Sequence, residues 1–286
     1  MRRHLVTASA IMLATCSAIA SSPLSSGGNA CREVDGFAAL NAPGKIVLLG
    51  EMHGTKEIPA FVANITCLAL RAGRPVTVAL EVPRDEQTRI GTFIKSAGDD
   101  DDRAALLKGP FWNAAFQDGR RSGAMLALLD RVRQMRAHGL PVEIALIDRQ
   151  APPSTSAERD RWMAEALAAA ADASPQSLIV ALIGNVHTRV TRGVPWDGAY
   201  EPAGYVLRQL RPGLSVTALN VAYTGGTVWT CPTPDPLACG SRQITGRANA
   251  PTGVVLHDQI VDGHMGAYGV GELTASVPAI RGEPPQ

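Results

Sequence analysis

The residues best suited to chemistry lie in two short segments of the same form. Gly50-Glu51-Met52-His53 and Gly184-Asn185-Val186-His187 each follow a run of Ile, Val and Leu and end in an imidazole. Between them, Glu81 closes the run Pro75-Val76-Thr77-Val78-Ala79-Leu80, and Asp148 closes Pro141-Val142-Glu143-Ile144-Ala145-Leu146-Ile147. An imidazole titrates near neutral pH and can take a proton from water, while a carboxylate beside it fixes its tautomer. Two histidines and two or three carboxylates are also a donor set for a divalent metal. Glu51, His53, Glu81 and His187 are therefore the candidate catalytic residues, and His53, Glu81 and His187 the candidate metal ligands. Arg84 and Arg189, close in sequence to two of them, are candidate contacts for a substrate anion or oxyanion. Each residue alone also has a structural explanation: His53 or His187 bonded within its turn, Glu81 paired with Arg84, Asp148 serving Arg149. The joint pattern carries the hypothesis.

A parallel sheet would bring these residues together. Lys45–Leu49, running into Gly50, reads as a strand buried on both faces, followed by a helix from Ile58 to Ala72 that stops at Gly73. Strands ending in Glu81 and Asp148, and a fourth from Leu178 into Gly184, alternate with helices predicted over Asp85–Lys95, Ser122–His138 and Ala157–Ala173. That alternation predicts an α/β fold, a mostly parallel sheet flanked by helices, with all four acid- or imidazole-bearing strand ends along one edge. Asp99–Asp102 reads as a solvated acidic loop, with no EF-hand spacing. Beyond Leu214 the pattern shortens. Leu214–Tyr223 and Gly226–Trp229 look like a hairpin around Thr224-Gly225, opening an irregular β-rich extension over 214–286. His257, Asp258 and His264 form a second patch there that would add a ligand or cover the cleft.

The chain has 286 residues with a formal net charge of +1 and only 5% aromatics, which argues against nucleic-acid partners. Ser122 lacks a nucleophile-elbow motif, and no phosphate-binding loop is present. Met1-Arg2-Arg3-His4, the apolar stretch to Ala20 and Ala18-Ile19-Ala20 predict a signal peptide over 1–20, hence a periplasmic or secreted protein. No membrane span is expected; lipidation of Cys16 is the alternative. Residues 21–40 are expected to be a flexible linker and 41–286 a single domain. Without Cys16, four cysteines remain, which permit three pairings. The proline-rich loop between Cys231 and Cys239 favours a local bridge, leaving Cys31 with Cys67.

The two G-x-x-H segments with Glu81 between them resemble the Tiki/TraB, ChaN-like haem-uptake and erythromycin-esterase-like superfamily. Gly50-Glu51, His53-Gly54-Thr55-Lys56-Glu57 and Ala79-Leu80-Glu81 look like the esterase group's first motifs. Arg159-Asp160 with Met163-Ala164 matches an R-D-x-x-M-A helix of that group, and Phe111-Trp112 with Gln117-Asp118-Gly119-Arg120 looks closer to the ChaN-like branch. From Tiki-like members the resemblance implies metal at His53, Glu81 and His187. From the esterases it implies His53 as the base acting on water, supported by Glu51 and Glu81; their second histidine falls where this chain has Gly184. From ChaN-like members it implies haem, with His53 or His187 axial and Tyr200 or Tyr205 assisting. The leading expectation is hydrolysis of a small-molecule or peptide ester or amide. A haem- or iron-binding role and a non-catalytic interaction role are the rivals.

Overall fold

The structure, a computed structural model, describes residues 31–149 and 155–280. The predicted signal segment, Cys16 and most of the Gln150–Ser156 loop lie outside them. Strands β1 (Lys45–Glu51), β2 (Val76–Pro83), β3 (Val142–Asp148), β4 (Leu178–Gly184) and β5 (Ser215–Ala222) lie in one sheet with β8 (Gly253–Val261) and β9 (His264–Gly269). The order is β3-β2-β4-β1-β5-β9-β8, and every neighbouring pair is parallel except β8 with β9.

Helices cover both faces because each central strand is apolar on both. Val47 and Leu49 of β1, with Val78, Leu80, Val180 and Leu182, meet helices α1 (Glu57–Arg71), α2 (Gln87–Lys95) and α4 (Gly123–Ala137). Ile46 and Leu48, with Ala79, Ala181 and Ile183, meet α5 (Ser156–Ala173) and α6 (Ala203–Leu210). The period-2 alternation of a strand sends successive side chains to opposite cores. The α5 face is Met163, Ala164, Leu167, Ala168 and Ala171, whose small side chains let the helix lie close to the sheet.

Three expectations are corrected. Asp99–Asp102 is not a loop: Asp99 caps α3 (Asp100–Leu107) in a reciprocal capping box with Asp102. The remaining acids sit in the first turn, where the helix dipole favours negative charge. The hairpin around Thr224-Gly225 does not form. β5 is an interior strand between β1 and β9, consistent with its buried run Val216–Leu219. The chain instead leaves the sheet at Gly225 and Gly226, both with positive φ, so that β6 (Gly225–Thr230) joins β7 (Gly240–Thr245) and β10 (Glu272–Leu273) in a separate three-stranded sheet. Finally, residues 31–40 are not a free linker. Cys31 is bonded to Cys67 on α1, the Asn64 side chain bonds both the N–H and C=O of Arg32, and Leu40 is fully buried.

The second disulfide joins Cys231 to Cys239, so the favoured pairing holds, and two bridges fit an oxidising compartment. No helix among the described residues is long and apolar enough to cross a membrane. The Cys31–Cys67 bridge closes a sequence separation of 36 residues. Replacing both cysteines by serine is expected to lower unfolding free energy by roughly 3–4 kcal/mol, the chain-entropy value for such a loop. Urea denaturation of the oxidised protein and the double variant checks this; equal midpoints would show that the segment is held without the bond.

Candidate functional site

The C-terminal ends of β3, β2, β4 and β1 stand side by side, carrying Asp148, Glu81, the Gly184–His187 turn and Glu51/His53 in that spatial order. The His53 turn is gripped from outside the sheet. Gly54 takes a positive φ, and its carbonyl accepts the N–H groups of Trp229 and Ser276. Gly119 packs so closely that a Cβ there would fall 2.6 Å from the Gly54 nitrogen. Below, the Tyr268 hydroxyl donates to the Gly50 carbonyl at 2.9 Å. The C-terminal strands thus fix the turn that carries the histidine.

Around Gly184 three groups converge. A Cβ built on Gly184 would lie 3.2 Å from His53 Nε2, 3.4 Å from Glu81 Oε2 and 3.4 Å from His187 Cδ2. The Gly184 N–H donates to Glu81 Oε2 at 2.7 Å, and His53 Nε2 lies 3.7 Å from the same oxygen. On its other side His53 Nδ1 faces Glu51 Oε1 at 2.9 Å, an ion-pair contact without hydrogen-bond alignment that leaves both buried atoms otherwise unpartnered. Burial disfavours the His53 imidazolium, but Glu51 and then Glu81 outweigh it and raise its pKa above the ordinary 6.5.

His187 is built differently. Its Nδ1 lies 2.7 Å from Asp160 Oδ1, and Asp160, fully buried, also accepts the Ala203 N–H and the Tyr200 hydroxyl. A proton on Nδ1 leaves Nε2 to accept from Arg159 Nη1 at 3.1 Å. Arg159 goes on to Glu81 Oε1 at 2.5 Å and to both oxygens of Asp148, at 3.1 and 2.6 Å. Arg120 doubles the arrangement, reaching Glu81 at 3.3 Å and Asp148 at 3.2 Å while Asp118 holds its other edge at 2.7 Å. Burial alone would raise the Glu81 pKa; His53, His187, Arg120 and Arg159 instead hold it well below the ordinary 4.5. Burial likewise opposes the charge of Asp118, and Arg120 lowers its pKa in spite of it.

The structure therefore assembles Glu51, His53, Glu81 and His187, with Asp148 as a partner of the two guanidiniums and of the Arg149 N–H. It does not assemble the arginines expected from position. Arg84 is exposed on the turn after β2, and Arg189 bonds the Gly193 carbonyl. The cations at the site are Arg120 and Arg159, which lay in the quoted motifs but on segments where an arginine ordinarily reads as a solvated surface residue. Tyr200 bonds Asp160, Tyr205 packs into the α5–α6 core, and burial, then Asp160, pushes the Tyr200 hydroxyl pKa upward. His264 is buried against the Thr188 hydroxyl at 2.9 Å behind the His187 turn, and His257 lies exposed on β8. Ser122 caps α4. Among the described residues no three His, Cys, Asp or Glu side chains are disposed to hold a metal ion.

No family model matches the chain, and no curated protein matches it. Solved structures do. A mutant of the erythromycin esterase EreC in its open conformation superposes with a TM-score of 0.59 at 11% identity, covering 83% of this chain and 88% of that one. A succinoglycan biosynthesis protein superposes with a TM-score of 0.53 at 10% identity, covering 84% of this chain and 85% of the other. The chain has the fold of these proteins, in agreement with the superfamily its motifs resemble.

Arg159 neutralises two carboxylates whose side chains are 3% and 4% exposed. Stripping a buried ion pair of one partner typically costs about 3–5 kcal/mol, so Arg159→Leu is expected to lose about that much at pH 7 by urea unfolding. The pH dependence has a definite sign. Glu81 has a depressed folded pKa, so its contribution is full above 4.5 and is lost as pH falls through the folded value. Without Arg159 that folded pKa rises, and the gap between wild type and variant should narrow below pH 4.5. A gap that stays constant to pH 3 would contradict this account.

Proposed function

We propose that this protein is an exported hydrolase that cleaves an ester or amide with water activated by His53. The observation that carries the reading is the convergence of His53 Nε2, Glu81 and His187 on one point in front of Gly184. With a proton on Nδ1 facing Glu51, Nε2 presents its lone pair at that point. A water there gives a proton to Nε2 as its oxygen bonds to the substrate carbonyl carbon. The carbonyl oxygen becomes an oxyanion beside Arg120 and Arg159, the partly exposed cations of the site. Collapse breaks the bond to the leaving alcohol or amine, and the proton on His53 passes to that group. Glu51 supports the imidazolium formed in between, and His187, locked by Asp160, orients Arg159 rather than acting as a base. The disulfides and the basic, apolar N-terminal segment support export.

The expected metal does not fit this donor set, and of the two histidines expected for haem only His53 keeps a free ring nitrogen. Glu81 and His187 Nε2, two of the three expected metal ligands, already accept hydrogen bonds from Arg159, and two guanidiniums would repel a divalent cation from the same place. For haem, both ring nitrogens of His187 are engaged and the Tyr200 hydroxyl is spent on Asp160.

Hydrolysis of activated esters should accordingly persist in chelator and fall by about 10²–10⁴ in His53→Ala. The neutral imidazole is the active form, so kcat/KM should rise with pH through an inflection above 6.5, and Glu51→Gln should move that inflection downward. Activity that vanishes in chelator and returns with a divalent metal, or that survives in His53→Ala, would refute the reading.

A further inference from the structure

After β10 the chain runs as a strap across the two segments that carry His53 and Arg120. The Thr274 carbonyl accepts the Lys56 N–H at 2.9 Å, Ala275 faces Thr55 in an isolated antiparallel bridge, and Ser276 donates its N–H to the Gly54 carbonyl at 2.9 Å. These three residues therefore pair with 54–56, the turn that leaves His53. From Ser276 onward the partner changes. The Ser276 hydroxyl accepts the Ala124 N–H at 2.9 Å, and the Val277 carbonyl accepts the Gly123 N–H at 2.8 Å. Pro278 then bridges Ser122, and Ala279 donates to the Arg121 carbonyl at 2.9 Å. This second run, antiparallel to 121–124, begins one residue after Arg120.

Ser276 is the point at which the strap passes from one segment to the other. It is buried, and its two donor–acceptor groups go to different sides, the N–H to the His53 turn and the hydroxyl to the first turn of α4. The strap is itself anchored: the Glu57 carboxylate accepts the Thr274 N–H at 2.8 Å, and the Thr227 hydroxyl accepts the Ala275 N–H at 2.9 Å. The two segments also touch where Gly119 packs on Gly54. That contact limits how near they come, whereas hydrogen bonds are directional and fix how they are offset. Arg120 has little slack, since it reaches Glu81 at 3.3 Å and Asp148 at 3.2 Å. A small slip of the segment that carries it would lose both.

We propose that Ser276 is a positioning residue of the site: bonded to the His53 turn and to α4 at once, it sets where the Arg120 guanidinium stands relative to His53. Its kinetic consequence rests on the hydrolase reading. A misplacement of about 1 Å at a reacting geometry can cost on the order of 10²-fold in rate.

Two variants of the full chain test this, with near-UV circular dichroism to check that each is folded. Ser276→Ala removes one hydroxyl and adds no atom; Ser276→Pro also removes the N–H that meets Gly54. On p-nitrophenyl acetate kcat should fall about fivefold in the first and about fiftyfold in the second, with KM within about twofold, as for an interaction made only in the transition state. A merely structural serine would give the same loss whatever stands at position 120. In an Arg120→Lys background, by contrast, Ser276→Ala should change kcat by less than about twofold. Losses that multiply, or a wild-type kcat in both Ser276 variants, would overturn the proposal. A second readout is independent of turnover. The Arg120 Nε–H donates to Asp118 at 3.0 Å, and by NMR its exchange with solvent should be about tenfold faster in both Ser276 variants than in wild type. If no ester is hydrolysed but that acceleration is seen, the hydrolase reading falls and the positioning role stands. If the exchange is unchanged, the positioning role is overturned whatever the activity.

Discussion

One side chain ties the site together. Arg159 projects from α5 and meets the ends of three adjacent strands: Asp148 on β3, Glu81 on β2 and His187 after β4. The carboxylates it meets are almost fully buried, and a buried carboxylate stays ionised only when a partner makes up for its lost hydration. Arg120 supplies a second positive charge to the same two acids and is itself clamped by Asp118. The strand ends can therefore carry acids side by side without expelling one another, and the parallel sheet can keep them in register.

This arrangement separates charge by depth. Glu51, Glu81, Asp148 and Asp160 form the floor, with side chains at most 4% exposed, while His53, His187, Arg120 and Arg159 face outward with 17–23% exposure. A group arriving from solvent meets proton donors and one imidazole with a free lone pair, backed by negative charge of which Glu81 Oε2 alone borders the Gly184 point. Such a surface favours an electron-rich oxygen, whether carbonyl, oxyanion or carboxylate. Two of these acids, Glu51 and then Glu81, raise the basicity of His53. In the proposed reaction proton abstraction and oxyanion stabilisation would both draw on this one buried network, so removing any member is expected to perturb both.

Much of this was legible in the sequence, for identifiable reasons. Strands buried on both faces appear as unbroken apolar runs, and in a parallel sheet their polar terminators must share an edge, so Glu51, His53, Glu81 and His187 could be grouped before any coordinates. Arg120 and Arg159 were not legible from periodicity, because an arginine on a loop or amphipathic helix has the same local pattern whether it meets water or a buried acid. Only the R-D-x-x-M-A and Q-D-G-R segments pointed to them. β5 was assigned to a hairpin because Thr224-Gly225 is a good local turn; its partners β1 and β9 are set by long-range pairing that no short window contains. Asp99–Asp102 looked like a loop because capping and solvation favour the same residues.

Gly184 shows how a departure from a family pattern can be read physically. The esterase pattern has a histidine there, and taken alone its absence counts against a related reaction. In this fold the position faces His53 Nε2, Glu81 Oε2 and His187 Cδ2 at 3.2–3.4 Å from where a Cβ would stand. An imidazole there would have to displace one of the three. The space is filled instead by convergence: His187 approaches from three residues further on, Arg159 occupies its Nε2, and the Gly184 N–H steadies Glu81. The glycine leaves one small volume that His53 Nε2, Glu81 and His187 face together.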